Sequence, residues 1–431
     1  MERKPADLLK DLVRINTTNP PGNERRLLDF LAGILEEEDA EYTIQETAPG
    51  RGNLLAWLPA DGEEKQPPLI LLSHIDVVGA QPEQWKFPPF EACEEDGYIY
   101  GRGTVDTKQL TVMELMAFLA LKRSGQKRRR TVYFLATSDE ESGSAWGLRW
   151  FLEHEITVGG RTVTGRQLFA DSDVVSEGGG FPIVAGGKEF YLCESGQKGC
   201  AVVEFYVKAR HAKGPFFGSG DGMERAMGLV GEIGRLQPAG RTLDTVKRFE
   251  DRLKEKELSP MMGKILSAMK HNSMTVTMIT GKNVNEVKLT CDVRLLPGFG
   301  REYLETILKD LSCKWDCEYK ILSLTEGYES NPEGEFLNIL EAATLTQLGK
   351  TKEEAQLLPF VSMGSSDGHF LVGTGARVYG YSPVYSWDMT FDSAVVMVHG
   401  VNERIHRDSV DFGCRVLTAA VRQAALEEEQ R

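Results

Sequence analysis

Along the first 190 residues, short apolar runs alternate with amphipathic stretches. Apolar positions at helical spacing predict helices over 5–14, 24–38, 110–124 and 144–155. Runs rich in β-branched and aromatic residues predict strands near 41–46, 53–58, 68–73 and 131–137, and Val174 and Val175 end another. Such alternation argues for an α/β fold: a mainly parallel sheet covered by helices. From residue 200 the texture changes. "CAVVEFYVKARH" (200–211) alternates like a half-exposed strand, and a helix follows over 221–236. Residues 244–270 are charged and helical, and three more strand-like runs surround a helix at 301–311. This predicts a smaller α+β domain built on antiparallel strands. After about 325 the first texture returns, with a helix over 334–348, "ARVYGYSP" as a strand and a terminal helix over 409–428. The expected division is therefore 1–196 and 325–431 for the α/β domain, with 197–324 inserted into it.

Length and charge narrow the picture. A chain of 431 residues exceeds one ordinary core. A net charge of −14 argues against nucleic acid as a partner, which needs a basic face. The one basic run, 127–130, reads as a solvated loop before a strand. No apolar run approaches the roughly 18 to 20 residues that span a bilayer, so no membrane is expected. The opening "MERKPADLLKDLVRIN" reads as an amphipathic helix, and the expected location is the cytoplasm. Seven scattered cysteines suggest reduced thiols. Cys313 and Cys317 have a spacing some zinc sites use, but no second pair follows nearby.

The chemistry starts from "SDEESG". Asp139, Glu140 and Glu141 follow an apolar strand that ends near Ala136. Adjacent carboxylates repel, and near a core each resists losing its water. A divalent cation resolves that conflict. Adjacent side chains diverge, so one glutamate can ligate while its neighbour faces the open side, and Asp139 can cap a helix. "SHIDVV" sets His74 and Asp76 on one face past another strand, where a carboxylate can hold a ligating imidazole. "GRGTVD" puts Asp106 between a glycine loop and a helix; as a cap it needs no ligand. "SEGGG" puts Glu177 after a strand, and "HGVNERI" gives His399 with Glu403 nearby. Sites in open parallel sheets form outside the carboxyl ends of the strands. Imidazole plus carboxylate without thiolate suits zinc, with manganese or cobalt as alternatives.

These motifs, with "SSDGHF", occur in an order and at separations that resemble the zinc-dependent exopeptidase and amidohydrolase family of aminoacylase, acetylornithine deacetylase, succinyl-diaminopimelate desuccinylase and glutamate carboxypeptidase. The resemblance covers nearly the whole chain. It implies two zinc ions per subunit: His74, Asp106 and Glu177 on one, Asp106, Glu141 and His399 on the other, with Asp106 bridging. It implies that Asp76 orients His74 and that Glu140 is the general base, acting on a water shared by the ions and then protonating the leaving nitrogen. The inserted domain would be a lid and dimerisation domain, making the protein a homodimer. His211 matches a histidine that stabilises the oxyanion in the partner's site, though Arg210 stands where the family commonly has glycine. Arg294, Gly364 and Ser365 match the anchor for a substrate carboxylate. Asn283 or Asn285 matches a further polar contact, on a run that departs from the family's pattern.

The expected activity is cleavage of an amide next to a free carboxylate, in an N-acyl amino acid or a short peptide. A non-catalytic metal-binding or scaffolding member of the same fold is the alternative. A nucleotide-dependent enzyme fails for want of the third glycine after "GRG". Trp146 and Trp150, at i and i+4, read as core aromatics, and His154 and His271 as exposed. His369 and His406 match no ligand, and "GSGDG" (218–222) reads as a loop before a helix.

Overall fold

The computed structural model describes residues 3–209, 221–253, 258–283 and 286–427. His211, Arg210 and Asn285 lie outside them, as does most of the "GSGDG" loop. Two sheets organise the chain. The larger has ten strands, with Tyr42–Ala48, Arg51–Leu58, Val132–Thr137, Leu69–His74, Asp173–Ser176, Arg377–Gly380, Lys188–Gln197 and Pro182–Ala185 in spatial order. Its centre is parallel, with Leu69–His74 between Val132–Thr137 and Asp173–Ser176. Arg377–Gly380 continues parallel to Asp173–Ser176, and Ala355–Ser362 runs parallel to Lys188–Gln197. The margins are antiparallel. Leu69–His74 is buried along its whole length, which is why it reads as an unbroken apolar run rather than an alternating one. Helices Lys108–Ser124 and Arg407–Ala425 pack together over one face and share a core that includes Phe118, Phe134, Phe412 and Leu417.

The chain leaves this sheet at Gln197 and enters a four-stranded antiparallel sheet at Gly199. That sheet has the order Ser273–Asn283, Glu286–Leu295, Gly199–Lys208, Glu318–Leu324. Glu286–Leu295 alternates buried and half-buried residues, and the buried face packs with helices Asp221–Ile233 and Arg301–Trp315 in a separate core. The helical stretch after residue 243 behaves differently. Val246, Phe249 and Met262, from Asp244–Leu253 and Pro260–Ala268, belong to the core of the large sheet.

Three local expectations fail for identifiable reasons. The helix predicted over 144–155 is only Leu148–Glu153. Ser144 adopts φ 56°, and a Cβ at Gly147 would lie 1.6 Å from the Ser138 carbonyl oxygen, so this stretch is a packed loop. Trp146 is consequently 41% exposed rather than in the core, whereas Trp150 does pack, half-buried, against the buried cluster of Leu148 and Phe151 and stacks on the exposed His154. The basic run is not simply solvated. Arg130 is buried and pairs with Asp173 at 2.7 Å, while Arg129 donates to carbonyls of Gln423 and Ala424. No helix among the described residues is long and apolar enough to cross a membrane.

Candidate metal centre

Three strand ends converge at one edge of the large sheet. His74 ends Leu69–His74, in register with Thr137, the last residue of Val132–Thr137. Glu140 and Glu141 follow in a single 3-10 turn, and Glu177 follows Asp173–Ser176. The turn after Glu177 must be tight. Gly178 has φ 108°, and a Cβ there would meet the Glu194 carboxylate at 2.4 Å. Asp106 comes from the loop before Lys108–Ser124, and His399 follows Phe391–Met397. His399 is left-handed, with φ 58°, a conformation costly for a side chain with a Cβ and characteristic of functional positions.

Asp106 lies at the centre. One carboxylate oxygen sits 3.2 Å from His74 Nε2 and the other 3.2 Å from His399 Nε2. Glu177 approaches His74 Nε2 at 3.5 Å, and Glu141 approaches His399 Nε2 at 3.0 Å. The five side chains expected as ligands therefore meet. Donor atoms of His74, Asp106 and Glu141 lie within 4.8 Å of one another, as do those of His74, Glu140 and Glu177.

The charges show what this arrangement lacks. Burial pushes the Glu140 carboxyl well above its usual range, and the charge of Glu177 pushes it further. Burial also raises Glu177, against the pull of His74. For Asp106 burial works in the same direction, but hydrogen bonds with His399 and His74 hold it far below the usual carboxylate range. Hydrogen bonds with Asp106 and Glu141 push His399 up to about 10. Burial opposes protonation of His74, yet Glu177, Asp106 and Asp76 raise it well above its ordinary value. Glu141 Oε1 is buried without a partner. Among the described residues, it is the two imidazoles that offset these carboxylates. Divalent cations fit this donor set, since they replace the protons on the imidazoles and give the orphan oxygen a partner.

The supporting residues were only partly legible. The Asp76 carboxylate lies 3.4 Å from His74 Nδ1, but its own backbone carbonyl is nearer, at 3.0 Å. The carboxylate accepts hydrogen bonds from the backbone N–H groups of Glu140 and Glu141 and from Asn19 Nδ2, so it fixes the acidic turn as well as the imidazole. Asp139 does not cap a helix. It pairs with Arg51 at 2.9 Å and accepts from Asn19 Nδ2 and the Trp146 N–H. Glu403 is sealed in the interior, paired with Arg102 at 2.7 Å, and accepts the backbone N–H groups of Gly103, Val105 and Asp106. It thereby holds the loop that carries Asp106. Asp367, also buried, accepts from Ser144 and Thr137 and is raised to about 7 by burial. Its place beside an acidic turn two hundred residues earlier has no local signal.

Of the residues expected to meet a carboxylate, Gly364 and Ser365 line a cavity, whereas Asn283 is not brought to them: it pairs with Glu286, at the opposite end of the hairpin from Arg294, which pairs with Ser273. Arg294 forks onto Asp292, with both bonds at 2.9 Å, and donates to the Met363 carbonyl at 3.1 Å. Through Met363 it braces the loop of Gly364 and Ser365, which line the cavity beside the acidic cluster. His369 lines the same cavity, its Nδ1 on the Ser366 carbonyl. The backbone of Asn283 ends a strand of the small sheet.

Residues 70–423 match the peptidase family M20/M25/M40. A probable succinyl-diaminopimelate desuccinylase of Staphylococcus epidermidis is 28% identical over 319 residues, 72% of this chain and 71% of that one. Among solved structures, an M20 family metallo-carboxypeptidase from Sulfolobus solfataricus superposes with a TM-score of 0.69 at 18% identity, covering 97% of this chain and 99% of that one. The Bacillus subtilis YXEP protein, described as a dinuclear metal binding peptidase, gives 0.61 at 13% identity over 97% of each chain.

Proposed function

The chain belongs to peptidase family M20/M25/M40, hydrolases acting on amide bonds, and we propose that it is a di-zinc enzyme cleaving an amide beside a free carboxylate, in an N-acyl amino acid or a short peptide. One observation carries this reading: the two oxygens of Asp106 face two different histidines, each accompanied by its own glutamate. His74, Asp106 and Glu177 would hold one ion, and Asp106, Glu141 and His399 the other. Two such ions, when bound, supply an acidified water and polarise the amide carbonyl.

The chain's own groups perform the proton transfers. Glu140, whose carboxyl is pushed up by burial, removes a proton from the attacking water and delivers it to the departing nitrogen as the C–N bond breaks. Asp76 fixes the imidazole of His74 and the turn bearing Glu140. Arg294, Gly364 and Ser365 receive the substrate carboxylate, which requires Arg294 to exchange part of its fork on Asp292. His211 serves the oxyanion of the partner subunit. In this reading 197–324, apart from the helices Asp244–Leu253 and Pro260–Ala268 that join the core of the large sheet, is the lid and dimerisation domain, the protein is a cytoplasmic homodimer, and cobalt or manganese can replace zinc.

The test is release of amine from acetyl-amino acids and dipeptides by zinc-loaded protein, alongside Glu140→Ala. Turnover by the wild type that the variant lacks is expected. Metal uptake without turnover of any member of the panel would instead favour a non-catalytic binding protein.

A further inference from the structure

Behind the acidic turn lies a buried polar network of Asn19, Glu24, Arg51, Asp76 and Asp139. Arg51 forks onto Glu24 at 2.6 and 3.1 Å, and one of the two nitrogens also reaches Asp139 at 2.9 Å. Asn19 Nδ2 donates to Asp76 at 2.8 Å and to Asp139 at 3.0 Å, so one carboxamide stands between two carboxylates. Main-chain pairing delivers both residues. Thr17 and Asn19 exchange backbone hydrogen bonds with Val77, in the continuation of the strand that ends at His74. Arg51 opens Arg51–Leu58, which pairs with Val132–Thr137. The loop from Asn19 closes over the guanidinium. Gly22 has φ 82°, and a Cβ there would meet Arg51 at 2.5 Å.

Three carboxylates here share one guanidinium, with the His74 imidazole beside Asp76. Burying charge in that ratio is a poor source of stability, since apolar side chains of similar volume commonly do as well or better. What the network supplies is geometry. Asp139 is left-handed, with φ 70°, and it redirects the chain from Val132–Thr137 into the turn of Glu140 and Glu141. Its carboxylate is fixed by Arg51, Asn19 and the Trp146 N–H, and its carbonyl by the N–H groups of Ser142 and Ser144. The next two residues donate their N–H groups to Asp76, the other carboxylate that Asn19 holds. We propose that Asn19 and Arg51 are positioning residues: acting through Asp139 and Asp76, they set the direction in which Glu140 and Glu141 leave the strand end. Neither lines the cavity, so each reaches the acidic floor only through these carboxylates. The inference deepens the amide-hydrolase reading and rests on it for the role of Glu140.

Asn19→Ala is the sharper variant, because Asp76 keeps two backbone N–H groups and Asp139 keeps Arg51 when the carboxamide goes. With zinc-loaded protein acting on acetyl-amino acids and dipeptides, kcat should fall about 10- to 100-fold with KM little changed, as when a support behind a ligand is lost. Zinc binding, read by competition with a chromophoric chelator, should weaken too, since Glu141 rides on the same turn. Arg51→Lys, whose ammonium cannot fork onto Glu24 and still reach Asp139, should show the same pattern. If that variant does not fold, Asn19→Ala decides alone. Asn19→Ala combined with Asp139→Asn should lose no more than the worse single variant, because both cut one path. Arg130→Met is the control. It breaks the buried pair with Asp173 at the other end of the central strands, so the melting temperature should fall while kcat and zinc affinity hold. If Asn19→Ala behaves like that control, or if the Asn19 and Asp139 losses add, the proposal is overturned. Should the wild type turn over no substrate while Asn19→Ala still weakens zinc binding, the hydrolase reading falls and the positioning of the turn stands.

Discussion

Glu403 and Glu177 are both acids withdrawn from water at the same end of the molecule, and burial raises the carboxyl of each, yet the partners they are given differ. Glu403 faces the guanidinium of Arg102 and three backbone N–H groups, so its lone pairs are met by the protein itself. Glu177 faces His74, and its other charged neighbours, Asp106 and Glu141, repel it. A buried charge with a full set of partners is structural and holds a shape. A buried charge left short of partners awaits something the chain does not supply. The two sit in series, because the loop that Glu403 holds is the loop that delivers Asp106 to the acidic floor.

The largest effect should come from the group that belongs wholly to the reaction. Glu140→Gln keeps shape and hydrogen-bonding reach but removes the proton acceptor. Loss of general acid–base catalysis typically lowers rate about 10²- to 10⁴-fold. Zinc content by elemental analysis should stay at the wild-type value. A variant that loses metal as well as rate would move Glu140 from base to ligand, which its place near His74 and Glu177 makes a sharp question.

Glu403→Ala tests the completed region. It strands the Arg102 charge in the interior and frees the loop N–H groups, a defect of about 3–5 kcal/mol. A lowered melting temperature should accompany metal binding weakened about 10- to 100-fold, as when a support behind a ligand is lost. Glu403→Gln, which can still accept from the loop, should recover part of both. If Glu403→Ala melts early but binds zinc as tightly as the wild type, the loop does not need this brace and the two regions are not in series.

The floor should respond to metal rather than to repair. Zinc at a hundredfold excess over its dissociation constant should stabilise the folded protein by about 2.7 kcal/mol per site, read as a shift in thermal unfolding that a chelator reverses. No such shift is expected in Asp106→Asn with His399→Ala, which removes the central carboxylate and one imidazole together.

How much of this contrast was visible in the sequence depends on how local each feature is. His74, Glu141 and Glu177 each follow an apolar strand, so strand ends and acidic residues together pointed to the floor. The covering helices were legible for the same reason: Leu110, Met113 and Phe118 keep one spacing over several turns. Glu403 was seen only as an acid near His399, because its partners lie three hundred residues upstream and pair through backbone groups that carry no residue signature. The strand Ala355–Ser362 was missed, since it contains Pro359 and looks like a loop until paired with Lys188–Gln197. The apolar lining of the cavity was hidden more thoroughly. Met261 and Ile265 lie in the stretch 244–270, which reads only as charged and helical, and only the packing of Phe249 and Met262 into the large core brings that stretch to the cavity.

The smallest expected effect carries the opposite sign and separates the two regions most cleanly. Burial raises the carboxyl of Glu177, so in metal-free protein at neutral pH its charge opposes folding. Glu177→Gln should therefore stabilise the metal-free protein. The sign follows from the direction of the shift: a raised carboxyl costs stability above its ordinary titration range, and a neutral amide of similar size removes that cost. Once zinc is added the order should reverse, because the wild type gains a ligand that the variant lacks. Chemical denaturation with and without zinc reads both signs in one pair of proteins. If Glu177→Gln destabilises the metal-free form as Glu403→Ala does, the floor is already satisfied by the chain's own groups, and its crowding of acids would no longer call for a cation.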